Sequence, residues 1–591
     1  MSCFSSYWRL AVPTKSEEEI EAEKWLLLVP RRHGQFYSLR SIGFNRWYLV
    51  AAAFSNLFFV GSTLSIGFLD EAIDGFFLGK PAKYSMIAQV VTVLVLGLSA
   101  ALIGPFIERR GPRINMAIAT ALVVLGWIFA ELSIIFHCYS LLYVGTAVLV
   151  SAGYGITIIV SISTVQKWFP DLRGVSGISI ASMGGGSLIW QHIYGALLHR
   201  KSDNIFQQVS QELDNDGLRH VFLLHGGLAL VFMLLATMVL RTPPPNYAVN
   251  GSDIHCMPLN KAPAAAHVQS NYLDVGMTLV NYNAVVQNQS VPTDDVYFSY
   301  VKALSLGQCI FSLDFFFLYL AFAASTTPIV LFVSELPGFL LVVLEATIDQ
   351  TNDFIFYTNI ACALGNLVGP ILTDATIRIF YANPAYVRKM VFMAFLLFQS
   401  VATAILVKNV DNINTFKWPV YIAASCSGGG FGLIPSLLAD LFGLYNAGTM
   451  LGLILTSWCI GSSIIIVLLM ESSDMALELP SHLQVLLIIS IVGCVVTGFV
   501  RSSSMDRFYR GYRLTVCGKV VIQRPSRRLV LELPTKPSQD GPSERRQEGA
   551  REQRAVDQMS ERNSGPPILL VHPDYHHFFT PHDHAVTVAY C

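Results

Sequence analysis

Charged side chains are scarce in this chain. Lys, Arg, Asp and Glu make up 13% of the 591 residues against 53% hydrophobic ones. The mean hydropathy is +0.50, which excludes a soluble protein of this size and places the chain in a bilayer. The net charge of −1 gives no basic excess for nucleic acid. Its ten cysteines have no paired spacing, and Cys309, Cys362, Cys426, Cys459 and Cys494 fall inside apolar runs. They read as small interior residues, not as a disulfide or zinc framework. No phosphate-binding loop, zinc-spaced His/Cys set or nucleophile elbow occurs, so the chain does not read as an enzyme, and no cofactor or metal is expected.

What is present is a series of long apolar runs. A bilayer core takes roughly 20 apolar residues per helix. Twelve stretches qualify: 47–69, 84–106, 114–136, 140–163, 174–198 and 220–240, then 308–333, 354–375, 390–408, 418–439, 445–470 and 483–500. Runs of this length satisfy their backbone only as helices. No Lys or Arg falls inside any span so drawn except Lys408, the last residue of one. Leu336–Ala346, after the break at Glu335-Leu336-Pro337, is too short to span again and either extends the seventh helix or lies in the interface. The resulting layout is a segment 1–46, six helices over 47–240, a central loop 241–305, six helices over 306–502 and a flexible tail 503–591.

Lys and Arg give the orientation. Arg46 precedes the first span, Arg109, Arg110 and Arg113 follow the second, Lys167 and Arg173 the fourth, Arg378, Arg388 and Lys389 the eighth, and Arg501 and Arg507 the twelfth. All fall on one side, expected to be cytosolic with both termini. The sequons at Asn250 and Asn288 lie in the central loop on that side and are expected to stay unmodified. Glu23 with Leu27-Leu28 resembles an acidic dileucine signal, which would direct the protein to endosomes or lysosomes; otherwise the plasma membrane is expected. The tail histidines His572, His576, His577, His582 and His584 match no defined metal spacing.

Two motifs recur at nearly constant separation. Gly104-Pro105-Phe106-Ile107-Glu108-Arg109 is echoed by Gly369-Pro370-Ile371-Leu372-Thr373-Asp374, and Asp171-Leu172-Arg173-Gly174 by Asp440-Leu441-Phe442-Gly443. The chain therefore reads as two copies of one membrane unit, as in secondary transporters. At residue level Gln166-Lys167-Trp168-Phe169-Pro170-Asp171-Leu172-Arg173-Gly174, Gly184-Gly185-Gly186, Arg110-Gly111-Pro112-Arg113, and Gly428-Gly429-Gly430-Phe431-Gly432 running on to Asp440 resemble the oxalate/formate antiporter and monocarboxylate transporter-like branch of the major facilitator superfamily. The resemblance covers about Asn45 to Val500. It implies an all-α integral membrane fold of twelve transmembrane helices in two six-helix bundles, which rock around a central site for a small mono- or dicarboxylate.

Site expectations follow. Glu108, Arg109 and Arg110 would hold the bundles together by ion pairs and facing helix ends, with Arg113, Asp171, Arg173, Asp374 and Asp440 in the same gate; alternatively the arginines only anchor the cytosolic side. The two glycine clusters read as packing surfaces. The resemblance places basic residues on the eighth and eleventh helices in oxalate carriers, and here Asn366 and Trp458 occupy those positions. The expected lining is therefore polar but uncharged: Asn56, Ser62, Thr63, Tyr154, Thr157, Gln191, Tyr319, Tyr357, Asn359, Asn366, Tyr421 and Ser425. Any of these could instead bond between helices. His192 and Asp314 are candidates for proton coupling, since ionisable groups inside spans are functional by default. His225 is expected to bond to a neighbour. The reading is a secondary transporter of a small organic solute, a monocarboxylate by proton symport or exchange, functional as a monomer; the alternatives are a neutral solute, or a transporter-shaped sensor or scaffold.

Overall fold

The computed structural model describes residues 15–30, 36–79, 84–198, 215–244, 247–249, 252–253, 301–302, 304–380, 382–408, 413–471, 475–507, 511–516 and 519–525. Asn250, Asn288 and the tail histidines lie outside them. The chain divides into two compact units, Met1–Phe508 with Cys591, and Tyr509–Tyr590. In the second, Gly511–Val516 pairs antiparallel with Lys519–Pro525.

The described residues of the first unit form twelve long helices. In chain order they are α1 (Trp47–Gly61), α2 (Tyr84–Arg110), α3 (Pro112–Ile135), α4 (Tyr139–Trp168), α5 (Ser176–Leu197) and α6 (Asn215–Val239). The second half has α7 (Leu313–Val342), α8 (Ile348–Phe380), α9 (Pro384–Lys408), α10 (Ile413–Phe442), α11 (Leu444–Glu471) and α12 (Met475–Gly498). Ten are long and apolar enough to cross a membrane. The others are α5, diluted by its Gly and Ser residues, and α7, whose apolar part is Leu313–Ile329. Residues 336–342 extend the seventh helix, because α7 continues through Pro337.

Several helices outrun their apolar stretches. Backbone hydrogen bonding, not hydropathy, sets a helix end, and the polar last turns here find ion-pair partners. As a result Lys167 lies in α4, Arg378 in α8, and Arg388 and Lys389 in α9. This corrects the expectation that no Lys or Arg lies within a membrane helix.

The halves meet along seams that glycine keeps thin. A Cβ on Gly104 of α2 would fall 2.5 Å from Thr449 Cα of α11, and one on Gly177 of α5 would fall 2.8 Å from Asn366 O and 2.6 Å from Pro370 Cγ of α8. The glycine clusters also pack backbone against backbone: Gly186 meets Phe58 O and Gly428 meets Cys362 O. Gly111 (φ 79°) and Gly443 (φ 81°) each form the whole link between two helices, a left-handed turn that a side chain would strain.

Ahead of α1 lies a folded segment. A short helix, Glu17–Ala22, is capped by the Ser16 hydroxyl, which accepts from Glu19 N at 3.2 Å. β1 (Trp25–Pro30) then pairs antiparallel with β2 (Phe36–Gly43). This changes the reading of the dileucine-like stretch. Leu27 and Leu28 are paired in the hairpin, Leu28 is fully buried, and Glu23 is held by Lys15 and Arg113, so the three residues are not displayed as an extended peptide.

Candidate functional site

The echoed motifs converge at the basic end of the helices, where they tie the two bundles together. Arg173, in the link between α4 and α5, donates to Asp440 Oδ1 at the end of α10. Arg388, at the start of α9, donates to Asp440 Oδ2 and, at 2.6 Å, to Asp374 Oδ1 at the end of α8. Asp374 Oδ2 in turn accepts from Gly174 N across the seam at 2.8 Å. Two guanidinium groups and two carboxylates thus alternate, and three of the four side chains are no more than 4% exposed. Alternation cancels the charge, which is what makes burial tolerable. Outside this chain, Asp171 is gripped bidentately by Arg46 of its own half at 2.8 and 3.1 Å, while Arg378 of the other half donates to its carbonyl at 2.9 Å. Each loop aspartate is therefore held by one arginine from each half.

The Glu108 cluster is arranged differently from expectation. Glu108 is paired within its own half: Lys167 Nζ lies 2.7 and 2.6 Å from its two carboxylate oxygens. The reason is the extra length of α4, which brings Lys167 alongside α2. The carboxylate still faces the other bundle, with Oε1 3.5 Å from where a Cβ on Gly448, the fifth residue of α11, would stand. Asp374 faces the first half through the Gly174 amide, two residues before α5, so each half sets an acid against the other near the start of a helix. Arg110 is exposed and Arg109 half-buried. Arg113 turns toward its own half, with Nε on Leu240 O at 2.9 Å and Nη2 on Glu23 at 3.2 Å. Beyond the helices, burial lowers the Arg241 guanidinium from its ordinary range, with the Arg113 charge adding to the effect and Glu23 opposing it.

The expected lining residues separate into two groups. Asn56 and Tyr154 are fully buried inside the first bundle. Asn56 Nδ2 donates to Ser161 Oγ at 3.2 Å, so it bonds between helices. The Tyr154 hydroxyl lies 2.8 Å from His225 Nε2, with Ser62 Oγ 3.3 Å from the same nitrogen and Tyr194 OH 3.1 Å from Nδ1. His225 is thus satisfied on both ring nitrogens, as expected, between the Trp127 and Trp190 rings at 4.4 and 4.0 Å. Tyr319 reaches Thr456 of α11 at 3.0 Å. By contrast, Gln191 is half-buried and His192 exposed, with Nδ1 2.9 Å from Leu188 O and its ring edge-on to Phe356 of α8. Tyr357 is 53% exposed and sits with Tyr421, Phe354 and Trp418 in an aromatic cluster. Asn366 is 5% exposed, and its Oδ1 has no hydrogen-bond partner among the described residues. Trp458 is buried edge-on to Phe431. Asp314 differs most from its expected role. Arg501 grips it from Nε at 3.1 Å, Nη2 at 2.9 Å and its own backbone N at 2.9 Å, a clamp between the start of α7 and the residues after α12.

Sequence reasoning read Lys167, Arg388 and Arg46 only as markers of sidedness. The available signal was the echo itself: a repeated aspartate at a loop needs a repeated cation, although spacing does not say which.

Comparison with known proteins bears on this arrangement. The profile of the Major Facilitator Superfamily matches residues 47–466. The Oxalate:formate antiporter of Oxalobacter formigenes is 28% identical over 141 residues, 24% of this chain and 29% of that protein, so the match spans less than a third of the relative. The MFS-type transporter YhjX of Escherichia coli (strain K12) is 23% identical over 421 residues, 71% of this chain and 86% of that one. Among solved structures, the proton:xylose symporter XylE bound to 6-bromo-6-deoxy-D-glucose superimposes with a TM-score of 0.56 at 12% identity, covering 77% of this chain and 94% of the other. FucP in the outward conformation gives 0.51 at 13% identity, covering 77% and 99%. At such identities the structural likeness shows the fold alone.

Proposed function

Because the chain belongs to the Major Facilitator Superfamily, we propose that it is a secondary carrier of a small monocarboxylate, working by alternating access with proton symport or exchange. The gate supports the cycle. Its cross-bundle bonds, Arg173 to Asp440, Gly174 to Asp374 and Arg378 to the Asp171 carbonyl, lie at the arginine-rich end, which we assign to the cytosol of a plasma-membrane carrier. Opening that end breaks them and frees the acids from the facing half, so closure is a two-state element that solute or protons can bias.

The substrate class rests on one observation: Asn366, in α8, presents a buried amide oxygen with no partner among the described residues, where a carrier of doubly charged anions would be expected to hold a cation. Lys167 lies inside α4 but is committed to Glu108. An unpaired carboxylate in a dry site costs several kcal/mol. Protonating an acid of pKa about 4 at pH 7 costs about 4 kcal/mol. The two are comparable, so a monocarboxylate entering with its proton is favoured over a dianion. The likeness to the oxalate:formate antiporter supports a small carboxylate. A thermal-shift panel tests the substrate class, since binding to the folded state raises Tm by mass action. Formate, acetate, lactate or pyruvate should raise the Tm of the purified protein. Stabilisation by oxalate alone would contradict the assignment.

A further inference from the structure

The gate loop is held from behind by a part of the chain that lies outside the helices. Residues 15–30 and 36–46 clasp the basic end of the first bundle through three anchors besides the Arg113–Glu23 pair. Lys15 donates to Glu23 and to Thr242 O, each at 2.6 Å. Arg241, at the exit of α6 and fully buried, gives its guanidinium to three carbonyls of the segment: Glu23 O at 2.6 Å, Trp25 O at 2.7 Å and Leu26 O. It also lies 4.1 Å over the Phe44 ring. Phe44 packs on Trp168 at 4.9 Å, and Trp168 Nε1 returns to Arg241 O at 2.7 Å. Finally Arg46 holds both oxygens of Asp171 and lies 4.6 Å over Phe169.

Trp168 to Gly174 is the stretch whose last two residues meet Asp440 and Asp374 across the seam, while its Asp171 carbonyl accepts from Arg378 of the second bundle. A short link of this kind, if loose, could follow the second bundle as the halves part, keeping Arg173 on Asp440 while the helices separate. The clasp removes that option by fastening the link to the first bundle at Trp168, Phe169 and Asp171. We propose that residues 15–30 and 36–46 act as a buttress for the gate, with Arg46 and Arg241 as positioning residues that hold the α4–α5 link in the register where Arg173 and Gly174 meet Asp440 and Asp374. Neither arginine touches solute. Their effect is to make the cross-bundle bonds form and break together, which sharpens the transition between states.

This inference rests on the alternating-access reading, and the test separates the two. Spin labels at Arg110→Cys and Ile379→Cys, in a full-length chain whose own cysteines are replaced, report the separation of α2 from α8 at the basic end in nanodiscs. Both sites are exposed. The parent should show two distances. Arg46→Ala should raise the longer one relative to the shorter by about fivefold, and the swap Arg46→Asp with Asp171→Arg should restore the parent ratio. Arg241→Ala should act in the same direction, and Arg46, a partly exposed side chain, provides the variant least able to disturb folding. If Arg46→Ala lowers Tm but leaves the ratio unchanged, the segment is merely structural and the buttress is wrong. If the parent shows a single distance at every pH between 5 and 8, alternating access itself fails and the inference falls with it.

Discussion

Arg173 and Arg388 both hold Asp440, yet removing them should have opposite consequences. In Arg173→Ala, Asp440 keeps Arg388, so no buried charge is left without a partner. The loss is one charge-assisted hydrogen bond, worth about 1.5–3 kcal/mol. That bond exists only when the halves are together, so nearly all of the loss enters the conformational equilibrium, a shift of about tenfold to a hundredfold. Arg388→Ala leaves Asp440 to Arg173 but takes from Asp374 its guanidinium partner within the second bundle, leaving it the Gly174 amide. Leaving the largely buried Asp374 without its cation costs up to about 3–5 kcal/mol, and here that loss falls mainly on folding. Hydrogen exchange at the Gly174 amide, which Asp374 protects in the closed gate, should accelerate by at least tenfold in Arg173→Ala while Tm stays near the parent value. Arg388→Ala should lower Tm strongly. If Arg173→Ala lowers Tm as much as Arg388→Ala without faster exchange at Gly174, the network is a fold clamp and the gating argument is refuted.

Other outcomes follow from the same contacts. Gly177→Leu would drive a side chain into Asn366 O and Pro370, so uptake should fall by more than tenfold at matched surface expression. Lys167→Met leaves Glu108 buried and unpaired, and about 3–5 kcal/mol of stability should be lost; Glu108→Leu with Lys167→Met should regain most of it in a denaturation assay. Arg110→Ala, at an exposed position, should transport within about twofold of the parent. Asn250 and Asn288 should remain unglycosylated in cells, and an endoglycosidase-sensitive mass shift abolished by Asn250→Gln or Asn288→Gln would invert the assigned orientation.

Composition and hydropathy made the twelve helices legible, because a bilayer leaves the backbone few other solutions. The duplicated Gly-Pro and Asp-Leu motifs pointed to the seam where Asp374, Asp440 and Arg173 meet, the contacts we propose as the gate. Charge partners were not legible. Lys167 and Arg388 sit a turn beyond the apolar runs, so hydropathy put them in loops, and only the extended helices bring them to Glu108, Asp374 and Asp440. Burial was also hidden. A polar residue on a membrane helix reads alike whether it lines a cavity, as a half-buried Gln191 allows, or bonds inside a bundle as Asn56 and Tyr154 do. Asp314 looked like a proton carrier because its clamp comes from Arg501, nearly the whole second half away in sequence. The clasp before α1 left no sequence signal beyond a few aromatics and arginines, because its contacts are with residues more than a hundred positions later.

The central claim is carriage of a monocarboxylate together with a proton through a site that has Asn366 and Trp458 where basic residues would stand. Uptake of radiolabelled formate or lactate into proteoliposomes holding the purified chain, measured as external pH falls from 7.5 to 5.5 with internal pH fixed, tests it most directly. Uptake should be saturable and should rise as the outside is acidified. It should exceed oxalate uptake by about a hundredfold at equal concentration, the factor for roughly 2.7 kcal/mol. His192→Ala should flatten the pH response if that exposed imidazole handles the proton. Saturable, pH-independent oxalate exchange with no monocarboxylate uptake would contradict the account.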